Sequence, residues 1–232
     1  MTAGAAAPQP ARTAIVTGGG RGIGAAIARA LTGRGLRVTV FARTGAQVER
    51  VVAEGWAALA VAGDVRREED VARLVAAHER ALGPADVLVN AAGVLERGLA
   101  EELSPAAFRE VLDVNLVGPF LCARAVIPGM KARGRGRIVN VASISATLGT
   151  AGGSAYNASK AGLVGLTRCL AEELRAHGVQ CVAVSPGSTD TEMLKKTPFE
   201  PEMSPDDVAR VVAFAALDAP DAITGSNVEV YG

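Results

Sequence analysis

Six short apolar runs punctuate this chain, at residues 12–17, 37–41, 58–63, 86–90, 137–142 and 179–185, and residues 226–231 supply a candidate last one. Each of the six is rich in Val, Ile or Ala and apolar on both faces. A strand with one wet face alternates polar and apolar side chains. A strand apolar throughout must be covered on both sides, which is the pattern of a parallel sheet lying between helices. The intervening segments read as those helices. Residues 22–34 repeat Ala, Ile and Leu at helical spacing. Residues 67–82 open with acids and close before Gly83, as the helix dipole and the C-terminal glycine preference favour. Residues 104–112 and 204–212 each place Ser at the N-cap and Pro at the first helical position. No linker, repeat or composition break interrupts the alternation. It predicts a single doubly wound α/β domain over 12–232, a seven-stranded parallel sheet with helices on both faces. Residues 1–11, rich in Ala and Pro, read as a frayed tail without the basic start and apolar run of a signal peptide.

Composition removes several function classes. The chain has 232 residues, 49% of them hydrophobic, enough for one sizeable core. Its 24 basic and 24 acidic side chains cancel, so no cationic excess draws it to nucleic acid or to an anionic membrane surface. Aromatics are 3% of the residues, which argues against base-stacking platforms. Cys122, Cys169 and Cys181 are scattered, with neither a disulfide framework nor metal-ligand spacing. They read as small apolar residues in a reducing compartment, and no metal is expected. No stretch of 18 consecutive apolar residues occurs, so the expected location is the cytoplasm. Trp56 and His78 carry no functional signal.

The first run leads directly into TGGGRGIG at 17–24. Gly18, Gly22 and Gly24 let the backbone turn sharply and approach a pyrophosphate, and the helix that follows turns its free N–H groups toward the phosphates. Strand before, helix after, is the context that makes a glycine-rich loop a dinucleotide cradle. An NAD-binding unit places an acid at the end of its second strand, against the ribose hydroxyls. Here Ala42 and Arg43 occupy that place. Arg43, with Arg21 from the glycine loop, is suited to a 2′-phosphate, so NADP(H) is the expected cofactor, with NAD(H) the alternative.

Tyr156 and Lys160 stand four residues apart in SAYNASKAGL at 154–163. On a helix they share a face, and an ammonium beside a phenol favours the phenolate, moving its pKa toward a range useful for proton transfer. Ala155, Ala158 and Ala161 keep the expected surroundings low. Ser143, at the end of the fifth run, belongs at the carboxyl edge of the sheet, where doubly wound folds open their clefts.

The motifs TGGGRGIG (17–24), Asp64–Val65, NAAG (90–93), Asn115 within LDVNLVGPF, Ser143, YNASK (156–160) and SPGSTDT (185–191) follow one another in that order. Together they resemble the short-chain dehydrogenase/reductase family, over nearly the whole chain from Thr13 onward. The resemblance implies a Rossmann-type fold and hydride transfer between a nicotinamide and a carbonyl or secondary alcohol. It implies Tyr156 as general acid/base, Lys160 as the group that lowers its pKa and binds the nicotinamide ribose, Ser143 as holder of the substrate oxygen, and Asn115 as anchor of a water in the proton relay. Cofactor contacts are implied for Gly18, Gly20, Arg21, Gly22, Ile23, Gly24 and Arg43, for Asp64 and Val65 at the adenine end, and for Asn90, Ala91, Ala92 and Gly93. Pro186, Gly187, Thr189 and Thr191 are implied on the carboxamide side.

Two substrate classes are compatible with the resemblance. The first is the 3-oxoacyl thioesters, for which Lys131, Arg133, Arg135 and Arg137 offer a cationic cluster toward an acidic carrier, or else a helix end satisfying its dipole. The second is the cyclic dihydrodiols of the 2,3-dihydro-2,3-dihydroxybenzoate dehydrogenases, which LVNAAGVLERG (88–98) and SPGSTDTEM (185–193) resemble. Those enzymes use NAD and carry an acid where this chain has Ala42. A non-catalytic NADP(H) sensor is the reading from another class. The short connection at 192–203 implies a small or open lid. The resemblance also implies a homotetramer or dimer. Leu163, Leu166, Leu170 and Leu174 form an apolar stripe expected in the core, with Gly162 and Gly165 left to face a partner helix.

Overall fold

The computed structural model describes residues 12–232; the tail expected over 1–11 lies outside the described residues. Strand β1 (Thr13–Thr17) runs between β2 (Arg37–Ala42) and β4 (Val87–Asn90), parallel to both. β3 (Leu59–Ala62) flanks β2, while β5 (Gly136–Val141), β6 (Val179–Pro186) and β7 (Asn227–Val230) extend the sheet beyond β4. The order is β3-β2-β1-β4-β5-β6-β7, and every pairing is parallel. Strand order reverses between β1 and β4, and at such a switch point the loops leaving the two strands part and open a crevice.

Successive strand residues point to opposite faces, and here both faces are buried. Val16, Val40, Val89, Val139 and Val184 pack on one side against α1 (Gly22–Gly33), α2 (Gly45–Ala53) and α7 (Pro205–Leu217). Their neighbours Ile15, Phe41, Leu88 and Ile138 pack on the other against α3 (Glu68–Leu82), α5 (Gly118–Arg133) and α6 (Ser154–Arg175). The double apolarity of the runs is therefore a direct image of a sheet covered twice. Ser204 caps α7 as expected: its hydroxyl accepts from the Asp207 N–H while the Asp207 carboxylate accepts from the Ser204 N–H. Ser104 likewise caps α4 (Pro105–Leu112).

One π-turn, Asp113–Val117, joins α4 to α5, giving a helical run over Pro105–Arg133. Its length and mean hydropathy would suffice to cross a membrane. Within this fold Val111, Val114, Cys122, Val126 and Met130 are all buried side chains of the domain.

Two local expectations, the cationic cluster and the outward-facing Gly162, are corrected. Arg137 is 7% exposed; its Nη1 donates to the carbonyls of Ala215 and Ala219 at 2.8 Å each, and its Nη2 to Asp221 at 3.0 Å. Arg133 donates to the Ala85 carbonyl at 2.6 Å. These two guanidiniums are committed to tying elements together, so the cluster at 131–137 does not form a free cationic surface. His78 is fully buried and hydrogen-bonds Thr39 Oγ1 at 2.7 Å and Thr13 Oγ1 at 3.2 Å, pinning α3 to β2 and β1. Leu163, Leu170 and Leu174 are buried, as the stripe predicts, while Leu166 is only partly buried. Gly162 packs within the chain, since a Cβ there would meet Leu116 at 2.9 Å, whereas Gly165 opens onto empty space.

Candidate active site

A cavity of about 730 Å³ lies over the switch point. Its floor is the loop from β1 into α1. Gly18 has φ of 67°, and a Cβ there would come within 2.7 Å of the Ala91 carbonyl and of Ala92. A Cβ on Gly24 would fall on the Gly18 carbonyl. Glycine thus lets the loop fold against the end of β4 and lets α1 start at once. Arg21, the N-cap of α1, makes no side-chain cap. The first N–H groups of the helix and its positive dipole end remain for an anion.

The far wall carries Ala42, Arg43, Thr44 and Gln47 on one side and Asp64 and Val65 on another. Arg21 and Arg43 both line this cavity, and among the described residues neither forms an ion pair. Asp64 is held by Arg66, with Nη2 at 2.5 Å and Nε at 3.0 Å from its Oδ2. That guanidinium keeps the Asp64 carboxyl below the usual carboxylate range. Arg66 is fixed in turn by Glu110 at 2.8 Å. A glycine cradle at a helix start, an extended cavity and two unpaired cations fit a dinucleotide.

A second cavity of about 250 Å³ shares Ile23, Ala91, Gly93, Thr191 and Met193 with the first. Ser143, Tyr156 and Lys160 all line it. Ser143 stands two residues beyond β5, its hydroxyl accepting from the Ser145 N–H at 3.1 Å. Tyr156 and Lys160 project from the first two turns of α6. Lys160 Nζ lies 5.6 Å from the centroid of the Tyr156 ring and donates to the Val141 carbonyl at 2.8 Å. Burial lowers the Lys160 ammonium to about 8. Lost hydration raises the Tyr156 phenol, with the Ser143 hydroxyl pulling the other way.

This geometry agrees with what the chain resembles. The family model for short chain dehydrogenase matches residues 12–201. The chain belongs to the short-chain dehydrogenase family. A 3-oxoacyl-[acyl-carrier-protein] reductase of Synechocystis is 36% identical over 237 residues, covering 96% of each chain. A 2,3-dihydro-2,3-dihydroxybenzoate dehydrogenase of Bacillus subtilis is 39% identical over 186 residues, covering 78% of this chain and 71% of that one. The crystal structure of a 3-ketoacyl-(acyl-carrier-protein) reductase from Brucella melitensis complexed with NADH superposes with a TM-score of 0.90 at 33% identity, covering 96% of this chain and 98% of that one. This short-chain dehydrogenase is accordingly an oxidoreductase acting between CH–OH and C=O with a nicotinamide cofactor.

Most of the expected residues of the dehydrogenase meet at the two cavities. Gly18, Gly20, Arg21, Gly22, Gly24, Arg43, Asp64, Val65 and Ala92 line the first, while Pro186, Gly187 and Thr189 line the second. Asn90 does not reach either. It is 2% exposed and its Nδ2 donates to Asn140 Oδ1 at 2.9 Å, behind the cleft wall. Its register turns it toward α5, where Nδ2 also reaches the Pro119 carbonyl, and the chain leaves the strand only after it. Asn115 is buried outside both cavities: Oδ1 accepts from the Val94 N–H at 2.9 Å, and Nδ2 donates to the Val94 carbonyl at 2.9 Å and to Ser159 Oγ at 3.0 Å. Its side chain therefore clamps the irregular segment after β4 to α6 at Ser159, whose hydroxyl donates in turn to the Tyr156 carbonyl. Ala155 is buried, but Ala158 and Ala161 face outward, on the side of α6 away from the cleft. Sequence reasoning missed the Arg66 clamp on Asp64, and also Asp190, Met193 and Lys195 on the rim of the first cavity. Only Arg66 carried a signal, a cation two residues after a motif acid.

Proposed function

We propose that the protein is an NADP(H)-dependent oxidoreductase that interconverts a ketone and a secondary alcohol, with Tyr156 as general acid/base. The observation carrying this reading is that Ser143, Tyr156 and Lys160 share one cavity that opens into the glycine cradle. A bound nicotinamide supplies or accepts the hydride. Tyr156 donates its proton to the carbonyl oxygen in reduction and takes it back in oxidation. The Ser143 hydroxyl holds that oxygen and stabilises the charge developing on it. Lys160 opposes the burial that holds the phenol protonated. Asn115 fixes the chain around Val94 and Ser159, so that the first turn of α6 keeps its place.

NADP(H) is favoured by the two cations without ion-pair partners, Arg21 and Arg43, and by Ala42 standing where an acid would meet the ribose. The 3-oxoacyl thioesters are the first substrate class to test, because the Synechocystis relative aligns along nearly its full length. The dihydrodiol reading rests on the 39% identity to the Bacillus enzyme, and an NAD preference would accompany it. A pure cofactor sensor is disfavoured by the intact Ser143, Tyr156 and Lys160. We read the chain as one domain over 12–232, as a cytoplasmic protein with free thiols at Cys122, Cys169 and Cys181, and as a homotetramer. The deciding experiment is a panel of ketones, 3-oxoacyl thioesters and cyclic diols assayed with both cofactors. Turnover with NADPH supports the reading. Tight cofactor binding without turnover on any member would convert the protein into a sensor.

A further inference from the structure

The second cavity is mostly apolar, with Leu95, Ile144, Leu148 and Phe199 among its walls. Among the described residues its charged lining consists of Lys160 and Arg97, and no Asp or Glu lines it. Lys160 stands at the reaction centre. Arg97 has no counterpart in that chemistry. It is half-buried, its Nη2 donates to the Ala151 carbonyl at 2.7 Å, and its guanidinium carbon lies 5.9 Å from the centroid of the Phe199 ring. A carbonyl on one side and an aromatic ring on the other hold the plane in place. Among the described residues no carboxylate pairs with it. A guanidinium carries five N–H donors, so most of them remain for a ligand. A cation that is pre-positioned, partly dehydrated and unneutralised in an apolar pocket suits a carboxylate, which it can grip through paired hydrogen bonds.

We infer that Arg97 is the specificity-determining residue of the substrate cavity and selects ketones or alcohols that bear a carboxylate on their own carbon skeleton. The inference rests on the reading of this cavity as the substrate site. An aliphatic or cyclic body lies along the apolar walls, the carboxylate pairs with Arg97, and the oxygen to be protonated reaches Ser143 and Tyr156. A thioester would present a neutral acyl body here and keep its charges outside.

The test compares 4-oxocyclohexanecarboxylate, its methyl ester and acetoacetyl-CoA on the wild type, Arg97→Gln and Arg97→Lys. Removing a charge-assisted pair lowers the acid-to-ester ratio of kcat/KM by at least about tenfold in Arg97→Gln, and Arg97→Lys restores part of it. Equal losses on acid and ester would mean that Arg97 merely holds the Ala151 turn, and would overturn the inference. A loss confined to acetoacetyl-CoA would overturn it as well, by assigning the guanidinium to phosphate. Calorimetric binding of cyclohexanecarboxylate, with and without NADP+, reads the subsite apart from turnover. A Kd weakened about tenfold in Arg97→Gln supports it, and an unchanged Kd overturns it. Carboxylate binding that follows Arg97 in a protein that turns nothing over would sink the proposed oxidoreduction and leave the subsite standing.

Discussion

Lys160 Nζ sits 2.8 Å from the main-chain carbonyl of Val141, the last residue of β5, while the Tyr156 ring centroid lies 5.6 Å away. The carbonyl fixes the ammonium beside the phenol without neutralising it. Burial pushes the phenol up and the Ser143 hydroxyl pulls it back; in the proposed mechanism the neighbouring ammonium adds to that pull. In Lys160→Met the phenol should titrate higher still. Alcohol oxidation, which needs the phenolate, then has its acid limb shifted to higher pH, and its rate near pH 7 drops. Burial brings the Lys160 ammonium down to about 8. The wild-type advantage over the variant should therefore shrink as pH rises through that value. A pH–rate profile of kcat/KM for both proteins measures it, and superimposable profiles would exclude Lys160 from the proton transfer.

Tyr156→Phe deletes the proposed proton donor and retains the ring that lines the cavity. Turnover should fall by about 10²- to 10⁴-fold, the usual contribution of a positioned acid/base. NADPH affinity, read by nucleotide fluorescence titration, should change little, because the cradle lies on β1 and α1. A variant with ordinary rates would reassign the acid to another group.

The proposed preference for NADP(H) places the cofactor choice at the end of β2. Arg43→Ala removes one of the two unpaired cations, and Ala42→Asp restores an acid for ribose hydroxyls. The double variant should lower the NADPH-to-NADH ratio of kcat/KM by roughly 10- to 100-fold, the loss expected for one charge-assisted contact plus a new repulsion. If the wild type already favours NADH, the assignment of Arg43 to a 2′-phosphate is wrong from the outset.

The central strands could be read in advance because burial on both faces leaves a compositional mark: Val16 and Ile15 serve opposite helix layers and both must be apolar, whereas the edge strands β3 and β7 are only partly buried and leave a weaker one. The cradle was legible because a close approach, such as Gly18 against Ala91, admits no Cβ. What the sequence concealed were long-range partnerships. Nothing local distinguishes Arg137, which joins β5 to the end of α7, from Arg135, which is exposed. Asn90 and Ala91 are adjacent, yet the turn after β4 sends only the second into the cleft. Ala158 and Ala161 were misread because a small residue marks a close neighbour only when its face is known, and periodicity alone did not fix the face.

His78 offers a stability test independent of catalysis. It is buried between Thr39 and Thr13, and burial lowers its pKa to about 4 from the ordinary 6.5. A histidine with a depressed folded pKa must remain neutral for the native state to persist. The unfolded chain binds the extra proton between the two values, so the stability contributed by neutral His78 is intact above 6.5 and lost as pH falls toward 4. The gap corresponds to about 3 kcal/mol. In His78→Gln the two threonine bonds cannot both be kept, and the protein should be less stable at pH 7. That variant should also lose less stability on acidification. Urea unfolding at pH 7, 6, 5 and 4.5 gives the difference between the two proteins directly, and it should narrow steadily toward acid. A difference that stays constant over this range would show that His78 is not the group whose protonation opens the junction of α3 with the sheet.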